Sequence, residues 1–388
     1  MSAAHTPYEF GTVKGICAMT SNTSSDDSVF ATADRRLFLK RGLQLGGAAL
    51  LGGPLLAACG SSSSSSASAS ASSSSSGARS FGELTLRLSW IKNVEFAGSY
   101  IADTKGYYTA EGFSKATLIG GGPTATPMEI DVVTKKALVA ISSPDITGAA
   151  VAKGAPLKII GAQYQKNPFC IMSMAKTPIT KPEDLYGKKI GVQASNESVW
   201  AAFVKAAGLD ASNITKVPVQ FDPLPLTQGT VDGWFSFVTN EPNSLRLKGF
   251  QVATMLLADA GYPLVSETYC VRQDTIDKQR DLLKAFLRAE IKGWKASIAD
   301  PTLGARLAAT QYGKGLGLTT SEQTLESKGQ NALMVSADTK KNGLFTVTDT
   351  LIAENIKTLK FGGLDLTAAQ LFDFSLLEEV YKEDPSLI

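Results

Sequence analysis

Histidine is nearly missing from this chain of 388 residues, with His5 the single example, and cysteine is scarce at four. Neither sign of charge dominates, since 38 Lys and Arg stand against 36 Asp and Glu, a formal net charge of +2. Without a basic excess there is no electrostatic footprint for nucleic acid, and no such partner is expected. Past the N-terminal region no apolar run reaches the roughly 20 residues that a membrane-crossing helix requires. What remains, 44% hydrophobic and 19% charged, is the composition of a globular chain long enough for two cores.

The N-terminal region reads as an address. Arg35 and Arg36 precede Leu37, Phe38, Leu39 and Lys40, and an uncharged, Gly-rich stretch runs from Gly42 to Ala58. This resembles a twin-arginine export signal, and the glycines and proline within it argue against a membrane anchor. The stretch ends in Leu56-Ala57-Ala58-Cys59, which resembles a bacterial lipobox. Residues 1–58 are therefore expected to be a lipoprotein signal, with Cys59 acylated and the protein held on the outer face of the cell membrane. Each buried CH₂ of an acyl chain contributes about 0.8 kcal/mol to such an anchor. Residues 59–80, the lipidated Cys59 and the Ser-rich run Gly60 to Ser80, are expected to be a disordered tether spanning roughly 25 Å on average.

Cleavage before Cys59 would also discard His5 and Cys17. The exported part would then hold no histidine, which excludes Ser-His-Asp, Cys-His and His-ligated metal sites, so neither catalytic residues nor a metal site is expected. Cys170 and Cys270 remain, either paired or separate; both lie in apolar, strand-like runs, where a buried free thiol is the ordinary outcome.

From Leu84 onward short apolar runs alternate with helix-period segments, the pattern of an α/β fold. "LTLRLSW" sets Leu84, Leu86, Leu88 and Trp90 on one face of a strand, and "FAGSYIADTKG" sets Phe96, Tyr100 and Ile101 on one face of a helix that Gly106 stops. Gly120 to Gly122 precede Thr126, Pro127 and Glu129, which fit the N-cap, N1 and N3 positions of a helix. Amides at such a start can face a polar or anionic ligand group, or the turn can simply cap its helix. Ser143 before Pro144, and Ser195 or Asn196, mark two further helix entries. Strands are expected in "PLKIIGAQYQ", "CIMSMA", "KKIGVQ", "VPVQF", "DGWFSFV" and "ETYCVRQD", and a mostly helical chain from Gln279.

The order of these motifs resembles the NMT1/THI5-like, SsuA-type substrate-binding proteins of ABC importers. Trp90 and Asn93 with "AGSYIADTKGYY", the Gly120 to Gly122 turn, "ITKPEDLYGKKIGVQ", "VDGWFSFVTNEP" and "GWKASIADP" carry the resemblance, over about Leu84 to Leu376. It implies an α/β, two-lobe periplasmic-binding-protein-like fold of type II with a ligand cleft between the lobes. Lobe one is expected at 83–167 plus 274–388 and lobe two at 168–273. The resemblance further implies a ligand near Trp90, Asn93 and Phe96, near Gly121, Gly122 and Ser143, near Tyr164 and Asn167, near Ser195 and Asn196, and near Trp234, Asn240 and Glu241. Trp200 adds an aromatic close to that set, whereas Trp294 reads as packing. Flat walls suit a flat ligand, because offset stacking adds about 0.5–1.5 kcal/mol per pair. Glu241 has two readings: acceptor for the edge of an aminopyrimidine, or favourable charge at a helix N-terminus.

Relatives that bind thiamin pyrimidine precursors resemble "WxPNxxHAG" at the opening segment, where this chain has Lys92 for the proline and Phe96 for the histidine. The change removes a hydrogen-bonding ring and favours a larger ligand such as a flavin. The expected protein is a monomeric solute-binding lipoprotein that captures a small heteroaromatic nutrient and delivers it to an ABC permease. A thiamin pyrimidine precursor ranks first, riboflavin second, and sulfonate or nitrate last, because no arginine stands in the named cleft motifs to clamp an oxyanion. Pyrimidine-synthesising enzymes on this fold use a histidine and a cysteine-rich motif that are absent here, so neither an enzyme nor a cofactor is expected.

Overall fold

Leu84 and Leu86 alternate into the core as expected, on a strand β1 (Gly82–Arg87) that stops three residues short of Trp90. The computed structural model describes residues 80–388; the expected signal, Cys59 and the tether up to residue 79 lie outside the described residues. On one side β1 pairs in parallel with β2 (Phe113–Ile119), and on the other with β3 (Val139–Ser142). Beyond β3 the sheet is completed by β4 (Leu157–Tyr164), but a strand from much later in the chain is inserted between them.

The second five-stranded sheet repeats this plan with β5 (Phe169–Met174), β6 (Lys189–Gln193), β7 (Thr215–Val219), β8 (Gly233–Phe237) and β9 (Val252–Leu256). There β6 lies parallel to β7 and β8, while β5 runs antiparallel between β8 and β9. The inserted strand of the first sheet is β10 (Ser266–Arg272), antiparallel to both β3 and β4. The chain thus crosses from the first sheet to the second after β4 and returns after β9. Each crossing strand enters a sheet next to its third parallel strand, which brings both crossings beside the parallel strand ends. The inner strands β3 and β5 are covered on both faces, which explains their nearly unbroken apolar sequence.

Cys170 lies on β5 and Cys270 on β10, one in each sheet, and both are buried and free. Burial pushes the Cys170 thiol up to about 12, so it is an inert packing residue. β9 was not expected: "VATML" is short and only half-buried, without the long apolar run that announces a central strand.

The helix Arg280–Ala299 buries Leu283, Phe286, Leu287, Ile291 and Trp294 along one face, and it packs on the helix Ala97–Thr104. The two helices touch backbone to backbone, since a Cβ at Gly293 would stand 2.1 Å from the Gly98 carbonyl oxygen. Trp294, read as packing, lies fully buried over Gly98. Gly293→Ala is expected to lower the unfolding free energy by about 3 kcal/mol, measured by urea denaturation, because the helices must separate. Leu359, Leu366, Leu371 and Phe372 join Trp200 and Phe203 in one apolar cluster, so part of the region grouped with lobe one also packs on a helix of the second sheet. No described helix is long and apolar enough to cross a membrane.

Candidate functional site

The ends of the parallel strands of both sheets converge on one cleft. Ser89 and Trp90 follow β1; Ser142 and Ser143 end β3 and enter the helix Pro144–Ala152. From the second sheet, Ser195 and Asn196 follow β6, while Ser236, Phe237, Asn240 and Glu241 close β8 and open the helix Glu241–Leu247. The crossing strands add Phe169 of β5 and Ser266 and Glu267 of β10, and Glu95, Met128 and Ile146 complete the lining. The cleft has about 540 Å³ of space outside protein atoms, part of it open to solvent. Strand ends that splay apart at such an edge are where ligands bind in open α/β sheets. Three aromatic rings and three carboxyl groups line it, with no Lys, Arg or His among the lining residues.

The carboxyl groups are the unusual feature. Ser89 Oγ lies 3.1 Å from Glu95 Oε1 and 2.9 Å from Glu267 Oε2. A hydroxyl has one proton, so both contacts are hydrogen bonds only when one of the carboxyls is protonated and donates to Ser89. Burial pushes Glu95 up to about 7, against the lowering effect of its hydrogen bonds with Ser89, Glu267 and Asn93. Burial, reinforced by the neighbouring Glu95, raises Glu267 well above the ordinary carboxylate range, and the two groups titrate as a pair. Glu267 also adopts φ +49° beside a slip in the pairing of β10 with β4. Backbone strain of this kind in a non-glycine residue is concentrated at functional sites.

Glu241 is pushed up to about 8 by burial, and its Oε2 accepts a hydrogen bond from the Phe237 amide at 3.0 Å. Glu241 is the first residue of its helix and a wall of the cleft. Behind Glu95, Glu326 on the helix Thr320–Met334 accepts from Asn93 Nδ2 at 2.8 Å and from Gln323 Nε2 at 3.0 Å. Its carboxyl is likewise raised, first by burial and then by Glu95 and Glu241. Ser195 and Ser266 line the cleft with hydroxyls that have no partner in the protein.

Of the residues expected at the site, Trp90, Ser143, Ser195, Asn196, Asn240 and Glu241 lie together on this lining. Asn93 faces an outer vestibule that shares Trp90, Asn240 and Glu241 with the cleft, and its side chain accepts from the Glu95 amide at 3.3 Å while donating to Glu326. Gly121 and Gly122 are placed elsewhere. The Gly121 amide donates to the Trp90 carbonyl at 2.7 Å, and a Cβ there would stand 2.6 Å from the Ser89 carbonyl, so the turn braces the Ser89-Trp90 backbone. The helix that follows begins at Met128 with Pro127 as its N-cap, and Glu129 accepts from Ser142 and Thr147 in place of forming a capping box.

Five further residues fall off the lining for packing reasons. Phe96 is fully buried in the first-sheet core, so its replacement of a histidine does not alter the cleft surface. Trp234 is fully buried with Met172, Leu226, Val231 and Leu245, because it stands near the start of β8, two residues before Ser236 at the strand end that meets the cleft. Tyr164 donates to Gln330 Oε1 at 3.0 Å, and Asn167 Oδ1 accepts from the Phe169 amide at 2.8 Å, so both fix the crossing after β4. Trp200 stands edge-on to Phe235 in the second-sheet core. The lining residues that sequence reasoning missed are chiefly Ser89, Glu95, Phe169, Phe237, Ser266 and Glu267. One signal was available: Glu95 and Glu267 are charges set among apolar or strand-forming neighbours, where an ionised side chain has no ordinary place.

Two sheets of four parallel strands with one antiparallel insertion, linked by two crossings and sharing a cleft at their strand ends, define the two-lobe periplasmic-binding-protein fold. Solved structures of this fold include the aliphatic sulphonate binding protein SsuA of Escherichia coli, at a TM-score of 0.53 and 16% identity over 72% of this chain and 85% of that one. The nitrate-binding protein NrtA of Synechocystis PCC 6803 aligns at a TM-score of 0.58 and 12% identity over 78% of this chain and 89% of that one. The NMT1/THI5 like family model matches residues 93–303, more than half of the chain, and the chain belongs to that family. Among curated relatives, the riboflavin-binding protein RibY of Chloroflexus aurantiacus is 28% identical over 230 residues, 56% of this chain and 63% of the relative. A 4-amino-5-hydroxymethyl-2-methylpyrimidine phosphate synthase of Legionella pneumophila is 23% identical over 217 residues, 54% of this chain and 67% of the relative. The match to the riboflavin-binding relative thus spans less than two thirds of that protein's length.

Proposed function

We propose that this chain is the solute-binding component of an ABC-type importer, anchored through Cys59, and that it captures a flat, nitrogen-rich heteroaromatic compound without negative charge. One observation carries the reading: the cleft joins the rings of Trp90, Phe169 and Phe237 to the carboxyls of Glu95, Glu241 and Glu267 and has no cationic side chain on its lining. Anions such as sulfonate or nitrate need a guanidinium, an ammonium or converging amides, and this lining has no cationic side chain to offer them. Flat rings bearing N–H and O–H donors match it on both counts.

Riboflavin heads the candidates, ahead of the thiamin pyrimidine that ranked first from sequence. Its tricyclic ring fits aromatic walls, and its polyol tail brings hydroxyls to a lining rich in serine and carboxyl groups. Similarity to the riboflavin-binding relative supports this order. The pyrimidine reading rests on Glu241, which suits an aminopyrimidine edge, and on the pyrimidine-related relative. A synthase is disfavoured by a lining without histidine or cysteine.

Titration of the full chain by flavin-fluorescence quenching and calorimetry tests the proposal. Riboflavin is expected to bind, with 4-amino-5-hydroxymethyl-2-methylpyrimidine weaker and an alkanesulfonate and nitrate not detected. Saturation at 100 times the dissociation constant should add about 2.7 kcal/mol of stability. Binding of sulfonate or nitrate in preference to both heterocycles would reject the reading.

A further inference from the structure

We propose that the Glu95–Glu267 pair binds ligand with one carboxyl protonated, which turns its O–H from Ser89 to the C=O of an uncharged lactam or imide edge and accepts the adjacent N–H on its other oxygen, so that ligand capture weakens as pH rises. The inference deepens the proposed function and rests on its ligand class. A carboxylate only accepts hydrogen bonds, whereas a carboxylic acid donates one and accepts another in parallel. The second pattern is complementary to a ring in which C=O and N–H are neighbours, as on the pyrimidinedione edge of a flavin.

Geometry supports the protonated state apart from any titration argument. Ser89 Oγ touches both Glu95 and Glu267, and its single proton cannot serve two carboxylates. The titratable groups acting on this pair are themselves acidic or neutral: Glu241 from the helix after β8, Glu326 from the helix Thr320–Met334, Tyr100 from the helix after Phe96, and Tyr164 from β4. Glu322, Asp222 and Lys248 lie farther out in the vestibule, and Lys248 and Arg246 are exposed. No cation on the cleft lining holds the carboxyls ionised. A second observation points to a ligand in the same place. Ser266 is 1% exposed, lines the cleft beside Glu267, and its hydroxyl has no partner in the protein.

The sign follows from linkage. Burial raises Glu95 to about 7 and Glu241 to about 8, so their protons are present at pH 6 and leave as pH rises through those values. A ligand that requires one such proton at Glu95 loses about tenfold in affinity between pH 6 and pH 8. A cationic ligand would do the reverse, binding more tightly as the carboxyls ionise and releasing protons.

The test uses the full chain and has two arms. In the first, riboflavin is titrated from pH 6 to pH 9 by calorimetry in two buffers of different ionisation heat. The expected result is proton uptake with affinity falling as pH rises, and a flatter profile in Glu95→Gln and Glu267→Gln; affinity rising with pH, or proton release, overturns the proposal. In the second, the infrared C=O stretch of protonated carboxyls is followed in the ligand-free protein. A band present at pH 6, weakened by pH 9 and diminished in Glu95→Gln supports the proposal, and its absence at pH 6 overturns it whatever the ligand. Failure of riboflavin to bind at any pH while that band is present rejects the flavin reading but upholds the protonated carboxyls.

Discussion

Glu290→Ala is expected to lower the unfolding free energy by about 4 kcal/mol, the largest stability loss of any single substitution argued for this chain. Glu290 is fully buried on the helix Arg280–Ala299 and is not one of the cleft-lining residues. Its carboxyl accepts from Ser99 Oγ at 2.9 Å, from Tyr269 OH at 2.7 Å, and from Tyr108 OH. Those three donors come from the helix Ala97–Thr104, the crossing strand β10 and the short helix Tyr107–Ala110 before β2, so one side chain ties together parts of the chain distant in sequence. Alanine leaves three buried hydroxyls without an acceptor, each costing about 1–3 kcal/mol unless water enters. Glu290→Gln keeps the volume and one acceptor oxygen, and its amide can donate to a tyrosine hydroxyl that turns to accept. Its loss should therefore be less than half that of alanine. Urea unfolding of the three proteins at one pH checks both values, and an alanine variant within 1 kcal/mol of the parent would show that the network contributes little.

This network illustrates which parts of the molecule the sequence makes legible. Alternation along Leu84 and Leu86, the Ser143-Pro144 helix entry and the 3.6-residue period of Arg280–Ala299 are local signals, and each element lies where its signal falls. Trp90, Ser143, Asn196 and Glu241 were accessible for the same reason, because a strand end followed by a helix start is a local pattern with a spatial meaning. Glu267 was not. It reaches the cleft only because β10 returns from the second sheet and inserts between β3 and β4, more than a hundred residues from β3 in sequence. Glu95 was visible in the opening segment, but its importance depends on Ser89 and Glu267, a three-residue arrangement that no spacing rule encodes. The errors have a common cause as well. Phe96, Trp234 and Trp200 are aromatics in or near the motif segments, yet nearness in sequence does not say which side of a sheet a ring occupies, and in these three the core side prevailed. The glycine turn was open to two readings, a ligand contact or a plain turn, and its lack of side chains serves close contact with the Ser89 backbone.

Trp90→Ala is expected to weaken binding of the heteroaromatic ligand by about 100-fold. Trp90 is the one tryptophan on the cleft lining, and it also borders the outer vestibule. Its position is set from behind, by the Gly121 amide on its carbonyl and by the tight packing of Gly121 on Ser89, so little ordering cost remains when a ligand arrives. Removing the indole forfeits a stacked pair, about 0.5–1.5 kcal/mol, and the apolar contact of one ring face, about 1–2 kcal/mol more; together these approach the 2.7 kcal/mol of a 100-fold change. Trp90 also packs against the first-sheet core, so the alanine variant loses stability as well, and its folded fraction must be fixed by unfolding curves before affinities are compared. Trp90→Phe separates the effects, since it retains a flat ring at the same bracing and should lose less than tenfold. Calorimetry on the parent and both variants distinguishes the roles: affinity ordered parent, Phe, Ala identifies a stacking wall, whereas an alanine variant that folds and binds within twofold of the parent would make Trp90 a packing residue and shift the aromatic contribution to Phe169 and Phe237.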